Sequence, residues 1–206
     1  MTNPPTEQNE DECSGRLQMV IDREEIRAVV YRYCRGIDRM QFDLVRSCYH
    51  PDATDDHGDF VGGVGDFVDY VTGLLPSFQS TSHFVGNMLI ELDWAGNRHQ
   101  ARVETYCVAN HRRRAVGDRP ANDFVVGLRY VDDFERRDGQ WAIRTRVCVT
   151  DWCRTDPIPV HGWVRPEHYV QPLRDANDPV FADDLRTVAR DSAGPLGTRM
   201  SNGASA

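Results

Sequence analysis

Thr81-Ser82-His83-Phe84-Val85-Gly86-Asn87-Met88-Leu89-Ile90-Glu91-Leu92-Asp93 is the stretch at which the hydrophobic period of the chain changes. Before it, apolar residues recur every three or four positions. From His83 onward they follow the two-residue repeat of a strand. With side chains alternating, His83, Val85, Asn87 and Leu89 share one face, while Phe84, Met88, Ile90 and Leu92 share the other. The run stops at Ala95-Gly96-Asn97, a turn. Three more strand-like runs follow, over 98–111, 123–135 and 140–150. They are separated by turns at Gly117-Asp118 and Arg137-Asp138-Gly139.

Upstream, the helical period is carried by Ile26, Val29, Val30, Tyr33, Cys34 and Ile37. Asp22 with Glu25 forms a capping box, so this helix is expected to start at Asp22 and run to about Asp38. A short second helix is expected over 42–49, ended by Pro51-Asp52. A strand over 53–60 and a Gly62-Gly63 turn come next. Phe67, Val68, Val71, Leu74, Leu75 and Phe78 mark a third helix. Three helices followed by four long hairpin-linked strands describe an α+β domain with a curved antiparallel sheet, spanning 19–153. Residues 1–18 are polar and read as a disordered tail. Residues 154–185, rich in Pro, Asp and Gly, read as an extended arm, and 186–206 as a second disordered tail.

The chain has 206 residues, a net charge of −8 and 40% hydrophobic residues, enough for one core. The basic run Arg112-Arg113-Arg114 is short and adjoins no aromatic ladder, so no nucleic-acid partner is expected. No stretch of about 18 apolar residues occurs, and the N-terminus lacks the basic and apolar regions of a signal peptide. A cytoplasmic protein with no membrane span is the expectation. Six cysteines without a CxxC pair read as reduced, mostly buried thiols. His57 beside Asp55 and Asp56 suggests a metal site, but strand alternation separates Asp56 from the other two. No metal and no cofactor are expected. His50, His99, His161 and His168 read as surface or structural.

Two residues stand out for chemistry. Asp38 falls at the edge of the apolar stripe of the first helix, where a carboxylate must face solvent, cap a backbone or meet a partner. His83 opens the first long strand. A histidine is the natural general base at neutral pH, and a carboxylate on its other ring nitrogen fixes the tautomer and stabilises the imidazolium. Spacing alone leaves open a structural histidine and a solvent-facing helix end.

The order Tyr33…Gly36-Ile37-Asp38-Arg39, then Thr81-Ser82-His83-Phe84-Val85-Gly86-Asn87, then Phe134-Glu135-Arg136-Arg137-Asp138-Gly139-Gln140-Trp141 resembles the SnoaL-like branch of the nuclear-transport-factor-two-like superfamily. The resemblance covers about residues 20–153. It implies a cone of curved antiparallel sheet closed by three N-terminal helices around an apolar pocket. It also implies an Asp–His pair that removes a proton from carbon, at Asp38 and His83, as in dehydratases and dehydrochlorinases of this branch. The same resemblance puts a polarising or leaving-group tyrosine at Tyr33 and a substrate-orienting arginine at Arg146, with Arg144 as a rival on the same face. A water-holding histidine falls at His111. The asparagine of the scytalone-dehydrating members has no counterpart, since Tyr130 stands in the aligned place.

Two function classes follow. One is a cofactor-independent lyase or isomerase, first of all a dehydratase, for a hydrophobic cyclic, polyketide or steroid-like molecule. The other is a non-catalytic binding or assembly module, like the dioxygenase β-subunits that share the fold. The outer face with Phe84, Met88, Ile90 and Leu92 would leave apolar surface in water, so a homodimer or homotrimer built through the sheet is expected.

Overall fold

The computed structural model describes residues 7–158, 169–170 and 172–185. The first helix, α1, spans Glu7–Asp38. Its predicted stripe is the buried face: Ile26, Val29, Val30, Tyr33, Cys34 and Ile37 are all nearly inaccessible. The start differs from the capping-box reading. Residues 7–21 contain no proline and many good helix formers, so the helix extends through them although Leu17, Val20 and Ile21 stay exposed. Asp22 is therefore an interior residue of α1 and caps nothing. Its buried carboxylate accepts from Gln18, Arg136 and the Trp141 indole N–H. The disordered-tail reading of 1–18 fails from Glu7 on; residues 1–6 and 186–206 lie outside the described residues.

Helix α2, Phe42–Arg46, is shorter than expected because strand β1 already begins at Tyr49 and runs to Asp56, with Pro51 inside it. The turn lies at 57–60, where Gly58 has φ +79°. Gly62 and Gly63 belong to strand β2, Val61–Gly63. Helix α3, Val64–Leu74, passes through a 3-10 turn, Leu75–Ser77, into the long strands. These are β3 Phe78–Leu92, β4 Gln100–Arg113, β5 Asn122–Arg137 and β6 Gln140–Pro157.

The six strands form one sheet in the order β2-β1-β6-β5-β4-β3. The four long strands pair antiparallel, as the hairpin turns require. The sheet as a whole is mixed, because β1 lies parallel to β6. Irregularities in register decide which side chains reach the core. Val85 pairs with Cys107 but Met88 with Thr105, so β3 carries one extra residue there. Such a bulge inverts the face of everything beyond it. Thr81, His83 and Val85 point inward before it, and Met88, Ile90 and Leu92 after it. The predicted faces are thus corrected in their second half: Leu89 is exposed and Ile90 is core. A second irregularity, at Arg144 between the pairs Asp133–Thr145 and Phe134–Ile143, leaves Arg144 exposed and buries Arg146.

Residues up to Pro157 make one compact unit, to which all six strands belong, and Ile158 onward another. In the second unit, buried Asp178 caps the 3-10 turn Pro179–Phe181 and accepts from the Leu173 N–H. His161, His168 and most of the predicted arm's first part lie outside the described residues.

Gly36 shows how closely α1 and α2 approach. A Cβ there would sit 2.8 Å from Val45 Cγ2 and 3.1 Å from the Val45 nitrogen, whereas one at Gly15 would meet nothing. Gly15→Ala should therefore stabilise the protein by up to about 1 kcal/mol through helix propensity. Gly36→Ala should destabilise it by about 1–3 kcal/mol through overpacking. Urea unfolding of both variants checks this; equal effects would contradict the packing.

Candidate active site

Ile37 is the last residue of the buried stripe, and Asp38, one position on, turns towards β3. Its carboxylate collects three donors from one short segment of that strand. Oδ1 accepts from the Thr81 hydroxyl at 3.0 Å and lies 2.7 Å from His83 Nδ1, and Oδ2 accepts from the His83 backbone N–H at 2.9 Å. The Thr81-Ser82-His83 spacing makes this possible, because Thr81 and His83 share a strand face. Burial disfavours the Asp38 anion. The His83 ring N–H, its charge and backbone N–H, and the Thr81 hydroxyl outweigh that and hold the carboxyl below its ordinary range. An ionised Asp38 makes Nδ1 the protonated nitrogen, a tautomer inferred from the network. Nε2 is left with no protein partner among the described residues.

His83 lines a cavity of about 380 Å³. The walls are largely apolar, from Ile37 of α1, Phe67, Val71 and Leu74 of α3, and Val126 and Leu128 of β5. His111 lies on the β4 face that carries Cys107 and Ala109, and its ring meets that of His83 edge to face at 5.8 Å. Its Nδ1 is buried without a partner among the described residues. Burial, and then the charge of His83, push His111 down to about 4, so it is neutral at pH 7.

A third histidine, His57, also lines the cavity. Alternation in β1 sets it beside Asp55, which hydrogen-bonds its Nδ1, while Tyr33 Oη lies 3.1 Å from its Nε2. Asp55 also accepts from the Tyr49 hydroxyl at 2.7 Å. Asp56 turns away and accepts from the Gly58 N–H. Among the described residues no group of three or more His, Cys, Asp or Glu side chains could hold a metal ion.

Beneath the cavity, Arg146 is completely buried. Its Nε and Nη2 donate to the two oxygens of Asp132 at 2.8 and 2.7 Å. Its guanidinium lies 4.2 Å from the Tyr33 ring centroid and 4.1 Å from that of Tyr130. Burial alone would favour losing the Arg146 proton; the Asp132 charge and hydrogen bonds overcome this and keep it cationic.

Of the residues singled out in the sequence, His83 and His111 are thus brought together at one cavity, and Asp38 meets His83 from behind without lining it. Tyr33 and Arg146 are adjacent to each other but are not among the lining residues. Tyr33 meets the cavity wall through His57 and Tyr130, and burial raises its hydroxyl well above the ordinary range, so it stays neutral. Sequence reasoning missed the Asp55–His57 pair as part of the cavity and Asp132 as the partner of Arg146. The alternating Asp-x-His of β1 was a usable signal for the first.

A family model described as SnoaL-like domain matches residues 18–147. The uncharacterized protein Rv2910c of Mycobacterium tuberculosis is 30% identical over 131 residues, covering 62% of this chain and 84% of that one. Among solved structures, the hexachlorocyclohexane dehydrochlorinase LinA-type3 of Novosphingobium barchaimii is similar at a TM-score of 0.59 with 18% identity. The match covers 73% of this chain and 99% of that one. A Novosphingobium aromaticivorans protein provisionally named a scytalone dehydratase gives a TM-score of 0.58 at 18% identity, over 70% and 97% of the two chains. At these identities the structural likeness is one of fold.

The titrations give stability a pH signature. His111 binds its proton at about 4 in the fold against the ordinary 6.5 of a histidine, so between these the unfolded chain holds more protons. Its contribution is complete above about pH 6.5 and lost as pH falls towards 4. Asp38, also depressed, adds a loss at lower pH, below its ordinary 3.8. Thermal midpoints measured across this range should fall in two stages, with His111→Gln flattening the upper and Asp38→Asn the lower. An unchanged upper slope in His111→Gln would contradict the buried neutral histidine.

Proposed function

The chain belongs to the SnoaL-like family, and from that premise we propose that it is a cofactor-independent lyase or isomerase, first of all a dehydratase, for a hydrophobic ring-bearing small molecule. One observation carries this reading: His83 Nδ1 stands 2.7 Å from the ionised Asp38 carboxylate, in the wall of an apolar cavity of about 380 Å³. That volume lies in the range of small-molecule sites. His83 Nε2 takes a proton from a carbon next to an activating group, and Asp38 stabilises the imidazolium that forms. In a dehydration the electron pair of that C–H bond becomes the double bond, and the hydroxyl on the neighbouring carbon leaves as water with the proton returned by the His83 imidazolium, which restores the neutral base.

The neutral His111, with its free Nδ1, holds that water or the departing hydroxyl by hydrogen bonding. Arg146 and Tyr33 act from behind the wall. The guanidinium supplies a fixed positive charge beneath the cavity that favours a developing oxyanion, and Tyr33 fixes the orientation of His57. The same residues suit double-bond isomerisation, which begins with the same proton abstraction.

The proposal extends to assembly and location. The outer face of the sheet exposes Phe84, Leu89, Tyr106, Val108 and Trp152, a set different from the one first expected but still apolar. A homodimer or homotrimer would cover it. All six cysteines are free, in keeping with a cytoplasmic setting. No helix among the described residues is long and apolar enough to cross a membrane.

With a ring-bearing hydroxy-carbonyl compound that is turned over, His83→Gln should lose about two to four powers of ten in turnover, the worth of a positioned base. Asp38→Asn should also be slowed, and its rate should depend differently on pH. Ligand affinity should change little in either, because the apolar walls carry it. Full turnover by His83→Gln would discard the mechanism, and binding of such compounds without any turnover would leave a binding module. Light scattering that shows a monomer at micromolar concentration would discard the assembly.

A further inference from the structure

The three consecutive arginines at the end of β4 are sorted by the alternation of the strand. Arg112 turns to the outer face, where its Nε and Nη2 both donate to the Asp123 carboxylate. Arg114 donates to the backbone oxygens of Pro76 and Ser77 at 3.1 and 3.3 Å. Arg113 falls on the inner face, in line with Cys107, Ala109 and His111, and is part of the cavity lining. Its guanidinium lies over the Phe124 ring, 4.4 Å from the centroid. Among the described residues it has no carboxylate partner. Asp59, the carboxylate in the same lining, sits on the β1–β2 connection and makes no ion pair with it.

An arginine stacked on an aromatic face keeps the N–H groups of its edge available, in the planar fork that matches a carboxylate. Here that fork stands at an exposed position of a largely apolar cavity, on the same strand face as His111 and two residues beyond it. We propose that Arg113 is an anion anchor, and that the molecule bound in the cavity is an amphipathic ring compound carrying a carboxylate or equivalent single anion. The anionic end meets Arg113, and the ring system lies inward against Phe67, Val126 and Leu128, beside His83. This names the substrate class of the site assigned above. It uses the same cavity but needs no step of the proton-transfer chemistry.

The test is binding of 2-naphthoate and of 2-naphthamide, its uncharged counterpart, by isothermal titration calorimetry to the full chain and to Arg113→Gln and Arg113→Lys. The protein should hold naphthoate at least about ten-fold more tightly than naphthamide, the expected effect of a charge-assisted bidentate contact. Arg113→Gln should remove that preference while leaving naphthamide affinity within about two-fold, and Arg113→Lys should keep part of it. Ring-current shifts of the His83 and His111 imidazole protons on adding naphthoate should place the ring inside the cavity. The readout is binding and involves no proton transfer, so a failure of the lyase reading leaves this result intact. Equal affinities for the two probes, an equal loss of both in Arg113→Gln, or naphthoate binding without imidazole shifts would overturn the proposal.

Discussion

The buried pair of Arg146 and Asp132 is the interaction on which the interior depends. A guanidinium wholly out of water is tolerated only where a carboxylate meets it with matching geometry and other groups offset the rest of its lost hydration. Asp132 accepts two of its N–H bonds, and the faces of Tyr33 and Tyr130 enclose the cation from α1 and β5. Tyr33 in turn meets His57, which leans on Asp55, and Asp55 takes the hydroxyl of Tyr49. Four elements of the fold, α1, β1, β5 and β6, are thereby tied through polar side chains that have few other acceptable arrangements. Removing one member would strand a charge or a donor in low dielectric, which costs far more than the pair contributes. The apolar cavity lies above this polar layer, and the two are complementary: fixed charge below, desolvated space above.

The three histidines of the cavity show how one side-chain type is given different tasks by its surroundings. His83 has an anion on one nitrogen and open space at the other. His57 is engaged on both. His111 has an unpartnered buried nitrogen, and its burial holds it in the neutral form. Only the first arrangement suits a base that must accept a proton and then carry the charge.

Much of this was legible in the chain. The stripe from Ile26 to Ile37 has the period of a buried helix face, and all six of its residues are buried. The change of period near His83 marks the sheet, and the order of Asp38 and His83 anticipates their contact. What could not be read is register. Alternation is a local rule, and a single extra residue inverts it; Gly86 and Asn87 gave no unambiguous sign that the inversion falls there. The same difficulty left Arg144 and Arg146 as rivals, which the irregularity at Arg144 separates. Asp132 escaped notice because its value depends on a partner across the sheet. The helical start at Glu7 escaped because helix propensity acts there without a hydrophobic stripe to reveal it.

The bulge in β3 has a consequence for how this chain tolerates insertions and deletions. The strand serves two clients in succession: its first half presents Thr81 and His83 to Asp38, and its second half presents Met88, Ile90 and Leu92 to the core. The two halves are out of phase by residue count, and the bulge absorbs the extra residue. Losing one residue between Val85 and Met88 would remove the bulge and leave a regular strand on which both clients are still served. Losing two would put Met88 directly after Val85 and turn one half to the wrong face. Length variation among relatives at this point should therefore be of a single residue, as if the strand carried one spare letter.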